Sequence, residues 1–302
     1  MHRFVGVLLV LTLVACEAAG AAKDEAPPPP RFTLPYALAY GLDGALYIGD
    51  GGTGRILRYD FGSTRLTVFA RGLRTPAHMI RSGAFLIASD LENHRVVRVD
   101  RRGRVTKLAD VRAPVGVAQH GTRIFVSSLE SFIVEVDLAT RAVRRIAGDG
   151  TPESTGDGGP ASAAQVETPH GIAADAGGNL YLDGAGTIRR IDAATGTIST
   201  VSREEAYSFE IGPDGTIWFV EGNPSGGSVR RLEPDGSATV LAGNGRLRPS
   251  ADGPGPTRGL LPADALLTPN GRALLVAQTR PFPAVRRLDL RTGRLTTLFR
   301  SR

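Results

Sequence analysis

Hydrophobic and polar positions alternate in short runs along most of this chain. The clearest stretch reads Thr168-Pro169-His170-Gly171-Ile172-Ala173, then Gly178-Asn179-Leu180-Tyr181-Leu182. It continues with Thr187-Ile188-Arg189-Arg190-Ile191-Asp192 and Thr197-Ile198-Ser199-Thr200-Val201. Each run is short, rich in β-branched and aromatic residues, and bounded by Gly or Asp. The pattern predicts four strands joined by tight turns.

The same order recurs six times, and a fixed period marks a repeat architecture. The turn before the second strand carries Gly44, Gly83, Gly121, Gly178, Gly215 and Gly271, at intervals of 39, 38, 57, 37 and 56 residues. Glycine there supplies the positive φ of a tight hairpin. Pro35, Pro76, Pro114, Pro169 and Pro262 open first strands, where no ladder donor is needed; Ala206 stands in the fifth unit. The third strand ends in Asp60, Asp100, Asp137, Asp192, Glu233 or Asp289, an acid able to cap its own turn.

Six four-stranded units of roughly 40 residues predict an all-β fold, a six-bladed β-propeller of antiparallel blades over residues 35–302. Leu295 to Phe299 would complete the sixth blade, with Phe32-Thr33 as a possible clasp. The pattern Pro-x-Gly-Ile-Ala, Gly-Asn-Leu-Tyr, Arg-x-Asp, Thr-Gly resembles the NHL repeat, best over 147–201. NHL propellers are similar to the gluconolactonase and senescence-marker-like propellers.

Two intervals are longer by about 18 residues, and the extra segments resemble each other: 147–160, with Asp157, and 242–256, with Asp252. Both join a fourth strand to the next first strand. In a propeller that connection shares a face with the loops between second and third strands. The candidate binding face therefore includes both insertions, Asp50, Asp90, Asp183, Glu221, His78 and His170, with Trp218 as a weaker member that reads more naturally as core. Replacing 148–160 and 243–256 by short loops is expected to abolish partner capture and leave the fold intact. The insertions lack the Asp-x-Asp-x-Asp-Gly spacing of calcium loops, and no Gly-Lys-Ser/Thr follows them as in a phosphate cradle.

The first residues carry one Arg and no acid, and Val5 to Val14 are nearly all apolar, as in an export signal. Leu13-Val14-Ala15-Cys16 resembles the bacterial lipobox, which implies cleavage and acylation at Cys16. That is the chain's one cysteine, so disulfides and cysteine metal clusters are excluded. Residues 1–15 read as a lipoprotein signal peptide, and 16–34 as a lipidated tether stiffened by Pro27 to Pro30. The expected location is the bacterial cell envelope, lipid-anchored, with the outer membrane favoured because Glu17 is not the Asp of inner-membrane retention.

Composition adds exclusions. With 41% hydrophobic and 22% charged residues the chain is not disordered. Its 38 Gly and 20 Pro, evenly spread, exclude a long-helix protein. The net charge of +6 comes almost wholly from dispersed Arg, with no basic stripe interleaved with aromatics, so no nucleic-acid partner is expected.

Catalytic signals are incomplete. The gluconolactonase resemblance implies a divalent metal held by Glu, Asn and Asp, but Leu34-Pro35-Tyr36-Ala37-Leu38 offers no glutamate near the first strand of blade one. Related amidating lyases use three channel histidines and zinc, and the streptogramin B lyases use a channel histidine. Here His78 and His170, with Asp183 or Asp90, form a zinc-type set, while His120 falls on the opposite face. No Gly-x-Ser-x-Gly is present. No cofactor is assigned; calcium and zinc stay open as alternatives. The sequence thus favours a tethered module that binds an envelope protein or glycan, over a metal-dependent lactonase-like hydrolase or lyase with its site at the channel mouth.

Overall fold

The computed structural model describes residues 30–41, 43–223, 225–247, 251–280 and 282–301. The signal peptide, Cys16 and the tether as far as residue 29 lie outside the described residues. Among the described residues six antiparallel sheets form, each with four strands hydrogen-bonded in chain order, and the sixth gains a short fifth strand, Gly253–Pro254, on its outer edge. The inner strands are Pro35–Tyr40, Pro76–Ser82, Pro114–His120, Ile172–Ala174, Ser208–Ile211 and Leu261–Leu267. Each packs on the next, and the sixth returns to the first, so the ring closes around a central channel.

The core lies between blades. Ala37 and Ala39 face blade two with Met79, Ala88 and Val97, whereas Leu38, Ile48 and Leu57 face blade six with Leu275 and Val285. Period-2 alternation therefore fills two wedges at once, one on each side of a sheet. Each fully buried Leu, Ile or Val contributes on the order of 1.5–3 kcal/mol. Trp218 sits in the wedge between blades five and six with Val220, Ala265 and Leu274, as a core residue.

The turn chemistry follows the repeat. Gly44, Gly83, Gly121, Gly178, Gly215 and Gly271 all have positive φ, from 55° to 84°. Asp60, Asp100, Asp137, Asp192 and Asp289 accept backbone N–H groups of their own turns. Blade five differs: Glu233 pairs with Arg231 and Thr239, and Asp235 caps the turn through the Ser237 N–H. The inner ladders shift register beside Pro35, Pro76, Pro114 and Pro262, where the ring nitrogen has no hydrogen to give. In blade four the ladder begins at Ile172, because Asp183 takes the amides of His170 and Gly171.

Both insertions run back onto the outer edge of the following blade. Gly158 N–H donates to Ile198 O, Ile198 N–H to Gly159 O, and Ala161 N–H to Gly196 O, at 2.9–3.0 Å. The second insertion forms a two-residue strand, Gly253–Pro254, paired with Leu295 and Arg294. Among the described residues no helix is long and apolar enough to cross a membrane.

Candidate functional site

The end of each second strand and the start of each inner strand meet on the insertion face. There the second-strand acids hold backbone. Asp50 is fully buried; it accepts the Thr33 and Leu34 N–H groups at 3.0 and 2.9 Å, and the Thr53 hydroxyl. Asp90, also buried, accepts the Arg74 N–H, Asn93 Nδ2 and Arg95 Nε, each at 2.8 Å. Asp183 binds His170 and Gly171 N–H through Oδ1 and stands 3.5 Å from His170 Nδ1 through Oδ2. Burial pushes the Asp183 carboxyl up, and His170 pulls it back down. These acids build the face from beneath.

The insertion acids are engaged as well. Asp157 accepts Arg189 Nε at 2.9 Å and Thr200 N–H at 2.7 Å. Asp252 accepts Thr297 N–H at 2.8 Å and lies 3.4 Å from Arg286 Nη2. Arg189 and Arg286 are each only 1% exposed. An arginine buried this deeply needs a counter-charge and acceptors for its fork.

Accessible ionisable groups stand over several blades of this face: Arg74 and Glu92 over blade two, Arg112 and Glu130 over blade three, and His170, Glu204, Glu221 and Arg230 over blades four and five. The His170 side chain is 35% exposed, and its ring lies against Tyr207, centroids 4.8 Å apart at 55°. Burial pushes the Tyr207 phenol up, and the carboxylates of Glu205, Asp183 and Glu221 add to it. Glu221 accepts from Ser228 Oγ at 2.8 Å and Arg230 Nη2 at 2.7 Å, while Arg230 Nη1 reaches Glu204 at 2.6 Å. The surface over blades four and five thus carries both signs of charge beside an aromatic pair.

His78 belongs to the channel wall. Its Nδ1 accepts the Val117 N–H at 3.3 Å, which leaves the proton on Nε2, 3.8 Å from Asp264 Oδ1. Asp264, 2% exposed, accepts Leu38 N–H at 2.7 Å and Ser208 Oγ at 2.7 Å. Burial pushes its carboxyl up, against the pull of His78. His78 and His170 therefore face different carboxylates, and Asp90 joins neither. Among the described residues no group of three His, Cys, Asp or Glu side chains is placed to hold a metal ion. The zinc-type set of two histidines and one Asp is thus not assembled. The serine hydroxyl points at the aspartate and not at the histidine, so no nucleophile relay forms either.

Asp264, Ser208, Tyr207 and Glu210 were not singled out by the sequence reading. The available signal was an acid inside an otherwise apolar inner strand, in Leu261–Leu267 and in Ser208–Ile211.

Six radial blades around a channel define an NHL-type β-propeller. The teneurin NHL-domain profile matches residues 13–217, well over half of the chain, and the chain belongs to that family. No curated protein matches it by sequence. Among solved structures it is similar to a gluconolactonase from Xanthomonas campestris: 12% identity, 88% of this chain and 87% of that one covered, TM-score 0.62. It is also similar to virginiamycin B lyase from Staphylococcus aureus: 15% identity, 89% and 86% covered, TM-score 0.60. A nidogen/laminin complex gives 16% identity, 85% and 92% covered, TM-score 0.61. At these identities the likeness is one of fold.

Proposed function

We propose that this chain is a membrane-tethered, extracytoplasmic binding module that captures an envelope protein or glycan on its insertion face. The observation that carries this reading is the division of labour among the acids. Asp50, Asp90, Asp157, Asp183 and Asp252 serve the fold, while His170, Tyr207, Glu221, Arg230 and Glu204 stay within reach of a partner over blades four and five. An aromatic pair flanked by both signs of charge suits a polar partner, and hot spots favour Tyr and Arg. The nidogen/laminin neighbour is a propeller found in a complex, which agrees with this use of the fold. The lipobox-like Leu13-Val14-Ala15-Cys16 supplies the tether.

The test is two-part. Cys16→Ala should move the full-length chain from the detergent-extractable membrane fraction to the soluble one. In cells carrying the wild-type anchor, His170→Ala with Tyr207→Ala should remove crosslinks to envelope components at unchanged protein level. Unchanged crosslinks would overturn the face assignment. The His78–Asp264 pair favours a second reading, a lactonase-like hydrolase or lyase, and lactone opening abolished by His78→Ala would establish it.

A further inference from the structure

We propose that the central channel is a binding site for a small organic cation, a protonated amine carrying an apolar group, taken up from the face opposite the insertions. This inference does not depend on partner capture at the insertion face.

The channel encloses about 270 Å³ and is lined by the inner strands of all six blades. Its walls differ in character. Blades three and four contribute Val117, Ala118, Ile172 and Ala173, an apolar surface with Gln119 at its end. Blades five, six and two contribute Glu210, Asp264 and His78. A ligand that matches both walls has a hydrogen-bonding cationic end and an apolar body.

Glu210 is the group aimed at such a ligand. Its Oε1 accepts the Leu267 N–H at 3.0 Å, whereas Oε2 has no hydrogen-bond partner among the described residues. Glu210 is half-buried, and it lines both the lumen and the depression beneath it. That depression, lined by Asp175, Gly212, Pro213 and Thr268, opens on the hairpin face. The Glu210 oxygen without a protein partner offers an ammonium donor a charge-assisted hydrogen bond once the carboxyl ionises. Asp264 is saturated by backbone and Ser208, so it does not compete for the donor.

The charge state gives an independent signature. Burial pushes the Glu210 pKa up to about 8, and the Asp264 carboxylate adds to the rise. The other titratable groups around it are Tyr40 from blade one, with Arg287 behind it, His78 and the exposed rim residue Arg81 from blade two, and Asp175 from blade four. Empty, Glu210 holds its proton at neutral pH. A cation favours the ionised form, so binding must release a proton.

Titration calorimetry of the full-length protein with phenethylammonium, and with 3-phenylpropionate as the charge-reversed probe, tests this. The amine should bind one to one and the acid should not. Affinity should rise about tenfold per pH unit up to about pH 8, since the amine stays protonated there. Buffers of different ionisation enthalpy should report about one proton released at pH 7. Glu210→Gln keeps the acceptor for Leu267 and should weaken the amine at least tenfold and remove the proton release. No amine binding to the wild type, equal binding of the two probes, or binding that Glu210→Gln leaves unchanged would each overturn the proposal.

Discussion

Asp157 and Asp252 occupy corresponding places in two similar insertions, yet they hold their arginines unequally. Asp157 Oδ1 takes Nε of Arg189 at 2.9 Å and a second bond from Nη2, and the same guanidinium also donates to Gln165 O and Thr155 O. Asp252 reaches Arg286 through one contact at 3.4 Å, and Gln278 supplies another acceptor at 3.0 Å. Removing a carboxylate from a buried cation leaves part of its desolvation unpaid. Asp157→Ala should therefore cost about 1–3 kcal/mol, and Asp252→Ala less, as read from denaturant midpoints at constant slope. Burial pushes the Asp157 carboxyl up, but the Thr200 and Arg189 hydrogen bonds outweigh it and hold the pKa below the ordinary value. The unfolded chain then binds more protons in acid. The pair's contribution is present above the ordinary carboxylate pKa and is lost as pH falls through the lower folded one. Asp157→Ala should flatten that acid limb; equal acid sensitivity in both proteins would show that the pair is not coupled to folding.

At the scale of elements, strands and turns were legible because their determinants are local. Hairpin glycines, turn-capping acids and period-2 alternation all act within a few residues, and nearly every one lies where the repeat places it. The radial placement of side chains was not legible. Alternation tells which residues leave the sheet on the same side, but not whether an acid there meets solvent, backbone or the channel. Asp183 and Asp90 therefore looked like surface groups, and Glu210 and Asp264 went unnoticed. The insertions carry the same lesson. Length marked them as loops, but their backbone pairs with the next blade's outer edge, where Ile198 would otherwise present an open N–H and C=O. This argues against the expectation that short loops in their place leave the fold intact. Substituting 148–160 by a short turn should lower the melting temperature by more than Asp157→Ala does, and the uncovered edge should raise light scattering on heating. A melt identical to the wild type would show that the insertion is a passive cover.

For the whole molecule the decisive contact is the one that shuts the ring. Among the described residues blade six is built entirely from the C-terminal stretch, and no strand from the other end of the chain pairs with it. Closure comes instead from side chains. Phe32, 1% exposed, lies edge-on to Phe299 at 6.0 Å, Phe299 stacks on Tyr59 of blade one at 4.1 Å, and the Phe32 N–H donates to Ser301 Oγ at 3.0 Å. In an open array each repeat would answer only to its neighbours. Here the wedge between blades six and one couples the two ends of the chain, and the ring should unfold as a unit. Phe32→Ala removes the aromatic wedge where the chain end has some freedom to relax, so a loss of about 3 kcal/mol is expected, at the low end for buried Phe. The transition should stay single, because destabilising one wedge of a closed ring frees every blade together. A second, earlier transition in calorimetry would mean that blades one and six can part while the others hold. A loss well below 1 kcal/mol would mean that the residues before Pro35 are not part of the folded body.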